Sequence, residues 1–284
     1  METKVSSLTK EVIIGDHRPT VLIGERINPT GKKKLQEALR AGRFEVLRKE
    51  ALTQVEAGAD VLDVNVATFG LDEVSLLSQA VQEINGEVDV PLCLDSANPE
   101  ALESALKVYK GKPLINSVTG EERSLARVLP LVREYGAAVI GLVQDDEGIP
   151  KDEGRRVAIA HKIVERAEKF GISREDILID CLTFAVGAQP NSGLVVMEAI
   201  RKIKAELGVN LTLGASNISF GLPDRQLLNS AFVVMAIGAG VSCLIVDVEK
   251  VRPAALAADL ILGRDKYGRR YIEDYRKRKR SQNL

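Results

Sequence analysis

Short runs of consecutive apolar residues recur along almost the whole chain, separated by longer stretches in which apolar residues return at helical spacing. Runs that are almost continuously apolar are typical of parallel strands covered on both faces, whereas alternation is typical of half-exposed strands. Eight such runs are present, at residues 21–25, 61–66, 91–95, 113–116, 138–144, 177–180, 211–217 and 243–247. The pattern therefore predicts eight buried parallel strands.

The stretches between these runs predict amphipathic helices. Leu102, Ala105, Leu106 and Tyr109 recur at i, i+3, i+4 and i+7, which places them on one helical face. Glycines precede the strand-like runs at intervals of about 25 to 37 residues, the length of one strand and one helix. Eight such units predict an α/β fold, a single-domain (β/α)8 TIM barrel. The alternative is a doubly wound open sheet, which often carries a G-x-G-x-x-G motif that does not occur here.

The barrel is predicted to span residues 21–263, after an N-terminal extension formed by residues 1–20. Residues 264–284 follow it and contain five consecutive basic residues at positions 276–280. A run of like charges is usually solvated, so we expect this last segment to be a basic C-terminal tail.

Composition narrows the possible functions. Thirty-nine Lys and Arg against forty Asp and Glu leave a formal charge of −1, which argues against a nucleic-acid partner or a polybasic membrane binder. Three cysteines without a C-x-x-C pair indicate a reducing compartment, and the N-terminus has no apolar signal core. We therefore expect a cytoplasmic protein. Its two histidines favour neither a histidine-rich metal site nor Ser-His-Asp catalysis, so no metal ligands are predicted.

Every apolar run ends in a carboxylate or an amide. These residues are Glu25 with Asn28, Asp63 with Asn65, Asp95, Asn116, Gln144, Asp180, Asn217 and Asp247. Each could be a turn former or a helix N-cap. In a barrel, however, the carboxyl ends of the strands converge on the face that holds active sites. Clustered acids with little counter-charge need a metal or ligand donors, and the mixture of Asn with Asp favours a flat polar heterocycle.

Five motifs at these strand ends resemble the pterin-binding TIM-barrel family. They are IGERIN at 23–28, LDVN at 62–65, LCLDS at 92–96, INS at 115–117 and, the most specific, GASNISFGLPDR at 214–225. Within this family the chain resembles the methyltetrahydrofolate:corrinoid protein methyltransferases and the folate-binding domain of cobalamin-dependent methionine synthase. The resemblance covers roughly residues 21–262.

The resemblance implies that Asp95, Asn116 and Asp180 hold the pterin ring. A carboxylate can accept the two parallel donors of the pyrimidinone edge in bidentate fashion. It also implies that Asn217 is the catalytic residue, because it matches the family residue that hydrogen-bonds N5, the methyl-bearing atom. Such an interaction accelerates the reaction if it tightens as the methyl group departs. Further folate contacts are expected from Ser216, Arg225, Asp63, Asn65, Gln144, Glu25 and Asn28.

The resemblance further implies a methyltransferase of one-carbon metabolism. Its substrate would be methyltetrahydrofolate or tetrahydrofolate, and the methyl group would move to or from the cobalt of a corrinoid. No segment of the chain resembles a cobalamin-binding module. A separate corrinoid protein is therefore the expected partner, covering the mouth of the barrel, and proteins similar to this one form homodimers.

The sequence is also compatible with two alternative functions. Dihydropteroate synthase shares the barrel but has a Pro-Asp-Ser-Phe-Ser-like loop after the first strand, where this chain has NPTGKKK at 28–34. It also has Arg-Lys after the seventh strand, where Asn217 and Ile218 stand here. The second alternative is a carrier or regulatory module that binds folate without turnover.

Overall fold

Eight parallel strands form one sheet in the computed structural model, which describes residues 1–282 and their side chains up to residue 280. In chain order they are β3 (Val21–Ile27), β4 (Val61–Val64), β5 (Leu92–Asp95), β6 (Leu114–Thr119), β7 (Ala138–Leu142), β8 (Ile177–Asp180), β9 (Asn210–Thr212) and β10 (Cys243–Val246). Neighbours pair in chain order, and β10 pairs with β3. The Ile245 N–H donates to the Leu213 carbonyl at 3.0 Å and closes the remaining gap. The predicted (β/α)8 barrel is confirmed.

Helices surround the sheet and connect its strands. They are α1 (Lys33–Arg40), α2 (Glu45–Ala57), α3 (Glu73–Asn85), α4 (Pro99–Val108), α5 (Glu122–Tyr135), α6 (Glu153–Lys169), α7 (Ser192–Leu207), α8 (Arg225–Ala239), α9 (Val248–Ile261) and α10 (Arg269–Gln282). The first unit holds two helices, α1 and α2, where the repeat predicts one. None of the helices within residues 1–282 has the length and apolar content needed to cross a membrane.

The core has two layers because side chains along each strand alternate between the two faces of the sheet. Outward-facing residues such as Leu22, Leu62 and Leu94 pack against the helices. The inward layer is formed by Ile23, Val61, Cys93, Leu114, Ala138, Ile140, Leu178, Cys243 and Ile245. Several of these are small, which suits the narrow barrel interior, and the cysteines behave there as small buried hydrophobes.

The N-terminal extension closes one end of the barrel. It forms an antiparallel hairpin of β1 (Glu2–Ser6) and β2 (Glu11–Gly15), whose Val5 and Ile14 are fully buried in the inward layer. The side-chain amide of Asn210, at the start of β9, donates to the Ile14 carbonyl at 3.0 Å. The hairpin therefore covers the amino ends of the strands, and only their carboxyl ends remain open to a ligand.

The C-terminal segment is helical and attached to the barrel, although its basic residues at 276–280 are exposed as their charge predicts. Residues 269–282 form α10, and Asp274 on this helix is only 8% exposed. Its carboxylate is held by the Nε atoms of Arg252 on α9 at 2.9 Å and of Arg278 at 2.8 Å. This buried acid between two arginines attaches the helix to the barrel. Asn283 and Leu284, the last residues of the predicted tail, lie outside the described residues.

Gly24 allows a close approach between β3 and α2 just before the open end of the barrel. The Gln54 Oε1 atom of α2 accepts a hydrogen bond from the Arg26 N–H at 3.0 Å. A Cβ atom at position 24 would lie 2.4 Å from this Oε1. The absence of a side chain at Gly24 therefore lets Gln54 hold the strand end that carries Glu25.

Replacing Gly24 with alanine should lower the free energy of unfolding by about 1–3 kcal/mol, the usual cost of overpacking a core, measured by urea denaturation. Gly154→Ala is the matched control, because Gly154 is exposed in the first turn of α6 and its Cβ would meet only the Asp152 side chain at an ordinary 3.5 Å. That change should leave stability unchanged or raise it by up to about 1 kcal/mol. Equal stability of Gly24→Ala and wild type would contradict the assigned role.

Candidate functional site

The polar residues predicted at the strand ends gather in two cavities at the open end of the barrel. The first, of about 630 Å³, is lined by four of them, Glu25, Asn28, Asn217 and Asp247, and by the predicted folate contacts Ser216 and Arg225. The second, of about 580 Å³, is lined by Asp95, Asn116 and Gln144. Asp63, Asn65 and Asp180 line neither cavity, but each is hydrogen-bonded at the same end of the barrel.

A hydrogen-bond network joins the ends of three neighbouring strands. The Asn65 amide donates to the Asp95 Oδ2 atom at 3.0 Å, and the Asn116 amide donates to the Asp63 Oδ1 atom at 3.1 Å. Asp95 and Asn116 are direct partners in the β5–β6 register. The network fixes these side chains before any ligand arrives.

Asp63 and Asp95 form a pair of neighbouring buried acids at the strand ends. Burial raises the pKa of Asp63 well above its usual value, and the negative charge of Asp95 raises it further. Burial also raises the pKa of Asp95, while hydrogen bonds from Asn65 and Asp63 oppose that shift. Two acids this close cannot both ionise easily. Asp63 is therefore the acid of the pair whose pKa is raised further, and Asp95 is the one that lines the second cavity.

Asp180 joins the loop after β8 to the end of β9. Its carboxylate accepts hydrogen bonds from the Leu182 N–H at 2.7 Å and from the Gly214 N–H at 3.2 Å. Burial raises its pKa to about 6, although these two donors and the positive charge of Arg156 pull in the opposite direction. Within the part of the chain that the structure describes, this second buried carboxylate of the site has no direct ion-pair partner.

Arg156 on α6 supports this loop and was not predicted from the sequence. Its guanidinium is fully buried, donates from Nη1 to the Cys181 and Leu182 carbonyls at 2.7 Å each, and lies 5.8 Å from the centre of the Phe184 ring. Its Nη2 has no hydrogen-bond partner among the described residues. The helical spacing could have indicated that Arg156 is buried. It falls on the same helix face as Ala160 and Ala167, at i, i+4 and i+11.

The segment that carries Asn217 is a 3-10 helix, Ala215–Ser219, although the sequence predicts a strand up to residue 217. The strand ends at Thr212, and Gly214 then makes an isolated bridge with Ile245 while its N–H bonds to the Asp180 carboxylate. Asn217 is exposed, and its side-chain amide has no hydrogen-bond partner within the described part of the chain. The turn therefore presents a free amide to the cavity.

Ser216 and Arg225 hold this turn in place. The Ser216 hydroxyl donates to the Glu25 Oε1 atom at 2.6 Å, and the Arg225 Nη2 donates to the Ser216 carbonyl at 2.8 Å. Burial raises the pKa of Glu25, as does the nearby charge of Asp247, while the Ser216 hydrogen bond lowers it. These contacts position the amide of Asn217 from both sides.

Two of the predicted site residues have structural roles as well. The Asn28 Oδ1 atom accepts a hydrogen bond from the Thr30 N–H at 2.9 Å, the Asx-turn geometry that shapes a loop. The Gln144 carbonyl accepts from the Gly120 N–H at 2.8 Å. Lys32, Asn229 and Lys250 line the first cavity and were not predicted, although Lys32 begins a run of three lysines.

Comparison with known sequences places the chain near pterin-binding enzymes. The profile of the pterin binding enzyme family matches residues 24–247. The chain is 32% identical over 269 residues to the methylcorrinoid:tetrahydrofolate methyltransferase of Eubacterium limosum, covering 91% of this chain and 97% of that protein. It is 34% identical over 265 residues to the methionine synthase of Mycobacterium tuberculosis, covering 89% of this chain but 22% of that protein.

Solved structures with the same fold include two dihydropteroate synthases. The Yersinia pestis enzyme, with a pterine-sulfa conjugate, has a TM-score of 0.71 at 17% identity, covering 89% of this chain and 97% of that one. The Clostridium difficile enzyme, in the presence of pteroic acid, has a TM-score of 0.73 at 21% identity, covering 86% and 97%. At such low identity these likenesses establish the fold alone.

The pKa of Asp180 predicts a pH-dependent gain in stability for Asp180→Asn in the ligand-free protein. Because folding raises this pKa from 3.8 to about 6, the folded chain holds the proton more tightly, and wild type loses this contribution to stability as pH rises through that range. The amide does not ionise. The unfolding free energy of Asp180→Asn relative to wild type should therefore rise by about 2 kcal/mol between about pH 4.5 and pH 7.5.

Urea denaturation across this pH range measures the effect. Asp146→Asn is the matched control, because Asp146 is an exposed acid on a loop at the same end of the barrel. The difference between this control and wild type should stay constant with pH. A similarly constant difference for Asp180→Asn would mean that burial does not perturb Asp180.

Proposed function

The chain belongs to the pterin-binding enzyme family, and from this premise we propose that it is a methyltransferase of folate and corrinoid. It moves the N5 methyl group between methyltetrahydrofolate and the cobalt of a corrinoid held by a separate protein. The name of its Eubacterium limosum relative supports this activity. The observation that carries the proposal is the amide of Asn217 at the same end of the barrel as Asp95 and Asp180, which have no ion-pair partner among the described residues.

The pterin ring is bound by Asp95, Asn116 and Asp180. The 2-amino group and the neighbouring ring N–H are parallel donors that suit a carboxylate, and the Asn116 amide can serve a donor and an acceptor. Both Asp180 oxygens already accept one backbone N–H, and each keeps a lone pair for the ligand. Ligand donors would stabilise the ionised carboxylates, which burial disfavours in the empty site.

Asn217 acts at N5. A tertiary amine is a poor leaving group, so the bond from N5 to the methyl carbon breaks readily only if N5 gains a proton or a strong hydrogen bond. The bonding electrons stay on N5, and the methyl carbon accepts an electron pair from cobalt(I) of the corrinoid substrate. An asparagine amide both donates and accepts, so it can bond N5 before and after protonation. A bond that tightens during the reaction raises kcat more than affinity.

The corrinoid protein docks over the open end of the barrel. Exposed apolar side chains stand on the loops and helix start around this opening, with Phe69 97% exposed and Leu194 and Phe220 each 70% exposed. Phe69 follows β4, Phe220 follows the 3-10 helix, and Leu194 lies in the first turn of α7. Exposed apolar groups beside a polar cavity are typical of a surface that a protein partner covers.

The activity can be tested with purified protein, methyltetrahydrofolate and a corrinoid protein reduced to cobalt(I). We expect the cobalt(I) spectrum to convert to that of methylcobalt(III), and tetrahydrofolate to appear in equal amount. A carrier module would bind the folate without any spectral change. A dihydropteroate synthase would instead condense a pterin diphosphate with p-aminobenzoate, and would leave the corrinoid unmethylated.

Asn217→Ala should lower kcat for methyl transfer by about 100-fold or more, the usual cost of removing a donor that acts in the transition state. The Kd for methyltetrahydrofolate should change less than about threefold, because the remaining ring contacts stay in place. Stopped-flow kinetics and equilibrium titration measure the two quantities separately. Equal loss of affinity and turnover would contradict the role assigned to Asn217.

Asp95→Ala and Asn191→Ala serve as comparisons for this experiment. Asp95→Ala should weaken folate binding by about 10- to 100-fold, since it removes charge-assisted hydrogen bonds to the ring. Asn191 is an exposed asparagine just before α7 whose side chain makes no capping bond, so Asn191→Ala should change neither quantity.

Two copies of the chain associate through α8. Leu227, Ala231, Val234 and Met235 are exposed on this helix at i, i+4, i+7 and i+8, and so lie on one face. No charged residue occurs between Arg225 and Asp247, so this face carries none of the charges that keep other surface helices solvated. A two-fold axis can pair such a face with its own copy.

Val234→Glu with Met235→Glu should convert the dimer to a monomer, because it places charges opposite each other in the interface. Size-exclusion chromatography with light scattering measures the mass. Glu198→Gln, an exposed change on neighbouring α7, should leave the dimer intact. A wild-type mass equal to that of one chain would contradict this part of the proposal.

A further inference from the structure

A positive charge is buried beneath the loop that follows β8. Arg156 is fully buried, and within the described residues its guanidinium forms no salt bridge with a carboxylate. Its hydrogen bonds go to the backbone carbonyls of Pro150, Cys181 and Leu182, and its Nη2 atom makes none. Carbonyl contacts replace only part of the hydration that such a buried charge loses. An apolar side chain of similar size usually packs at lower cost, so stability alone does not account for the arginine.

The two carbonyls that Arg156 holds after β8 belong to a strained part of the backbone. Leu182 has a φ angle of 52°, in the left-handed region that few residues other than glycine, asparagine and aspartate adopt. The Arg156 Nη1 atom donates to the Cys181 and Leu182 carbonyls at 2.7 Å each. Rotation about the φ and ψ angles of Leu182 moves these two carbonyls relative to each other. A single nitrogen bonded to both therefore holds Leu182 in its left-handed conformation.

The same contact orients Asp180. The Cys181 carbonyl and the Leu182 N–H belong to one planar peptide group and point in opposite directions. Arg156 bonds to the carbonyl, while the N–H donates to the Asp180 Oδ1 atom at 2.7 Å. Arg156 therefore fixes the donor that holds the carboxylate. Burial raises the pKa of Asp180, and the positive charge of Arg156 opposes that shift.

The loop after β8 also contacts the turn that carries Asn217, at two points. The second carboxylate oxygen of Asp180 accepts a hydrogen bond from the Gly214 N–H at 3.2 Å, just before the 3-10 helix. The Val186 N–H donates to the carbonyl of Ile218, inside this helix, at 3.0 Å. A shift of the loop would therefore be transmitted to Asn217 as well as to Asp180.

We propose that Arg156 is a positioning residue of the folate site. Through the carbonyls of residues 181 and 182, it orients Asp180 for the pterin ring and keeps the turn that carries Asn217 in place. Arg156 lines neither cavity, so it acts without touching the ligand. This role rests on the proposed function, which assigns the ring to Asp180 and N5 to Asn217.

Arg156→Met and Arg156→Lys test this role. Methionine keeps the length of the side chain but removes the donors, whereas lysine keeps the charge without the planar fork of donors. The Kd for methyltetrahydrofolate should rise about tenfold in Arg156→Met and less in Arg156→Lys, because the carboxylate is no longer held toward the ring. The kcat for methyl transfer should fall in the same order, because Asn217 shifts as well.

Arg166→Met is the matched control. Arg166 lies on the same helix, with its Nη1 atom 2.5 Å from Glu122, and it lines neither cavity. Its replacement should change Kd and kcat by less than about twofold, the size of effect expected when one exposed ion pair is lost. Circular dichroism gives the temperature range in which each variant is folded, and the kinetic and binding measurements are made within that range.

Two changes at Leu182 separate positioning from a general loss of stability. Asparagine adopts the left-handed conformation more readily than leucine or alanine does. Arg156→Met/Leu182→Asn should therefore bind folate about threefold or more tightly than Arg156→Met. Arg156→Met/Leu182→Ala shortens the same side chain without favouring that conformation, and should recover no affinity. If Arg156→Met does not fold, the same two changes are made in Arg156→Lys.

Hydrogen–deuterium exchange of the ligand-free protein gives a readout that does not depend on folate. The Leu182 and Val186 N–H groups both donate to fixed acceptors in the wild type. Their exchange should be faster in Arg156→Met, because the loop opens more often when its carbonyls are not held. Exchange at wild-type rates in this segment would contradict the role.

The outcomes separate the role of Arg156 from the function on which it rests. If the wild type binds methyltetrahydrofolate and transfers its methyl group, but Arg156→Met does so with the same Kd and kcat, the positioning role is wrong and the proposed function stands. Equal recovery in the asparagine and alanine variants, or recovery in neither, would also overturn the role. If the wild type binds neither methyltetrahydrofolate nor tetrahydropterin, the proposed function fails, and the role of Arg156 in it fails as well.

Discussion

The site depends on carboxylates that the fold buries without enough positive charge to neutralise them. Asp63 and Asp180 are nearly inaccessible, and burial raises the pKa of both, as it does for Asp95. Such an arrangement destabilises the empty protein at neutral pH, because charged groups lose hydration when they are buried. The opposing interactions come from backbone N–H groups and amides. A bound ligand rich in N–H donors would supply the further hydrogen bonds that stabilise these buried carboxylates.

The rest of the barrel keeps this arrangement in place. The hairpin covers the amino ends of the strands, so a ligand can enter only from the carboxyl ends. The close packing of Gln54 against Gly24 holds the end of β3, and the buried Arg156 ties the loop after β8 to the loop before α6. The hairpin, the packing of Gln54 and the contacts of Arg156 are all formed by residues that do not line either cavity. These contacts keep the acids in place, although burial and mutual repulsion disfavour ionised carboxylates at these positions.

The sequence predicted the barrel and the polar strand ends because both follow from local patterns. The apolar runs predict where the strands lie, and the polar residue at the end of each run predicts where the site lies. The turn at Ala215–Ser219 was not predictable in this way, because it depends on Gly214 bonding to Asp180, a residue 34 positions earlier. Arg156 and the helix at 269–282 were missed for a similar reason. From the sequence alone, a charged side chain is expected to be exposed. Its burial becomes predictable only when its partner is known, as Asp274 is for Arg252.

The most direct test is a crystal structure of the protein with methyltetrahydrofolate bound. We expect the pterin ring at the carboxyl ends of the strands, with its pyrimidinone edge hydrogen-bonded to Asp95, Asn116 and Asp180. N5 should face the amide of Asn217. A ring bound elsewhere on the protein, or an unoccupied barrel mouth at saturating folate, would contradict the account.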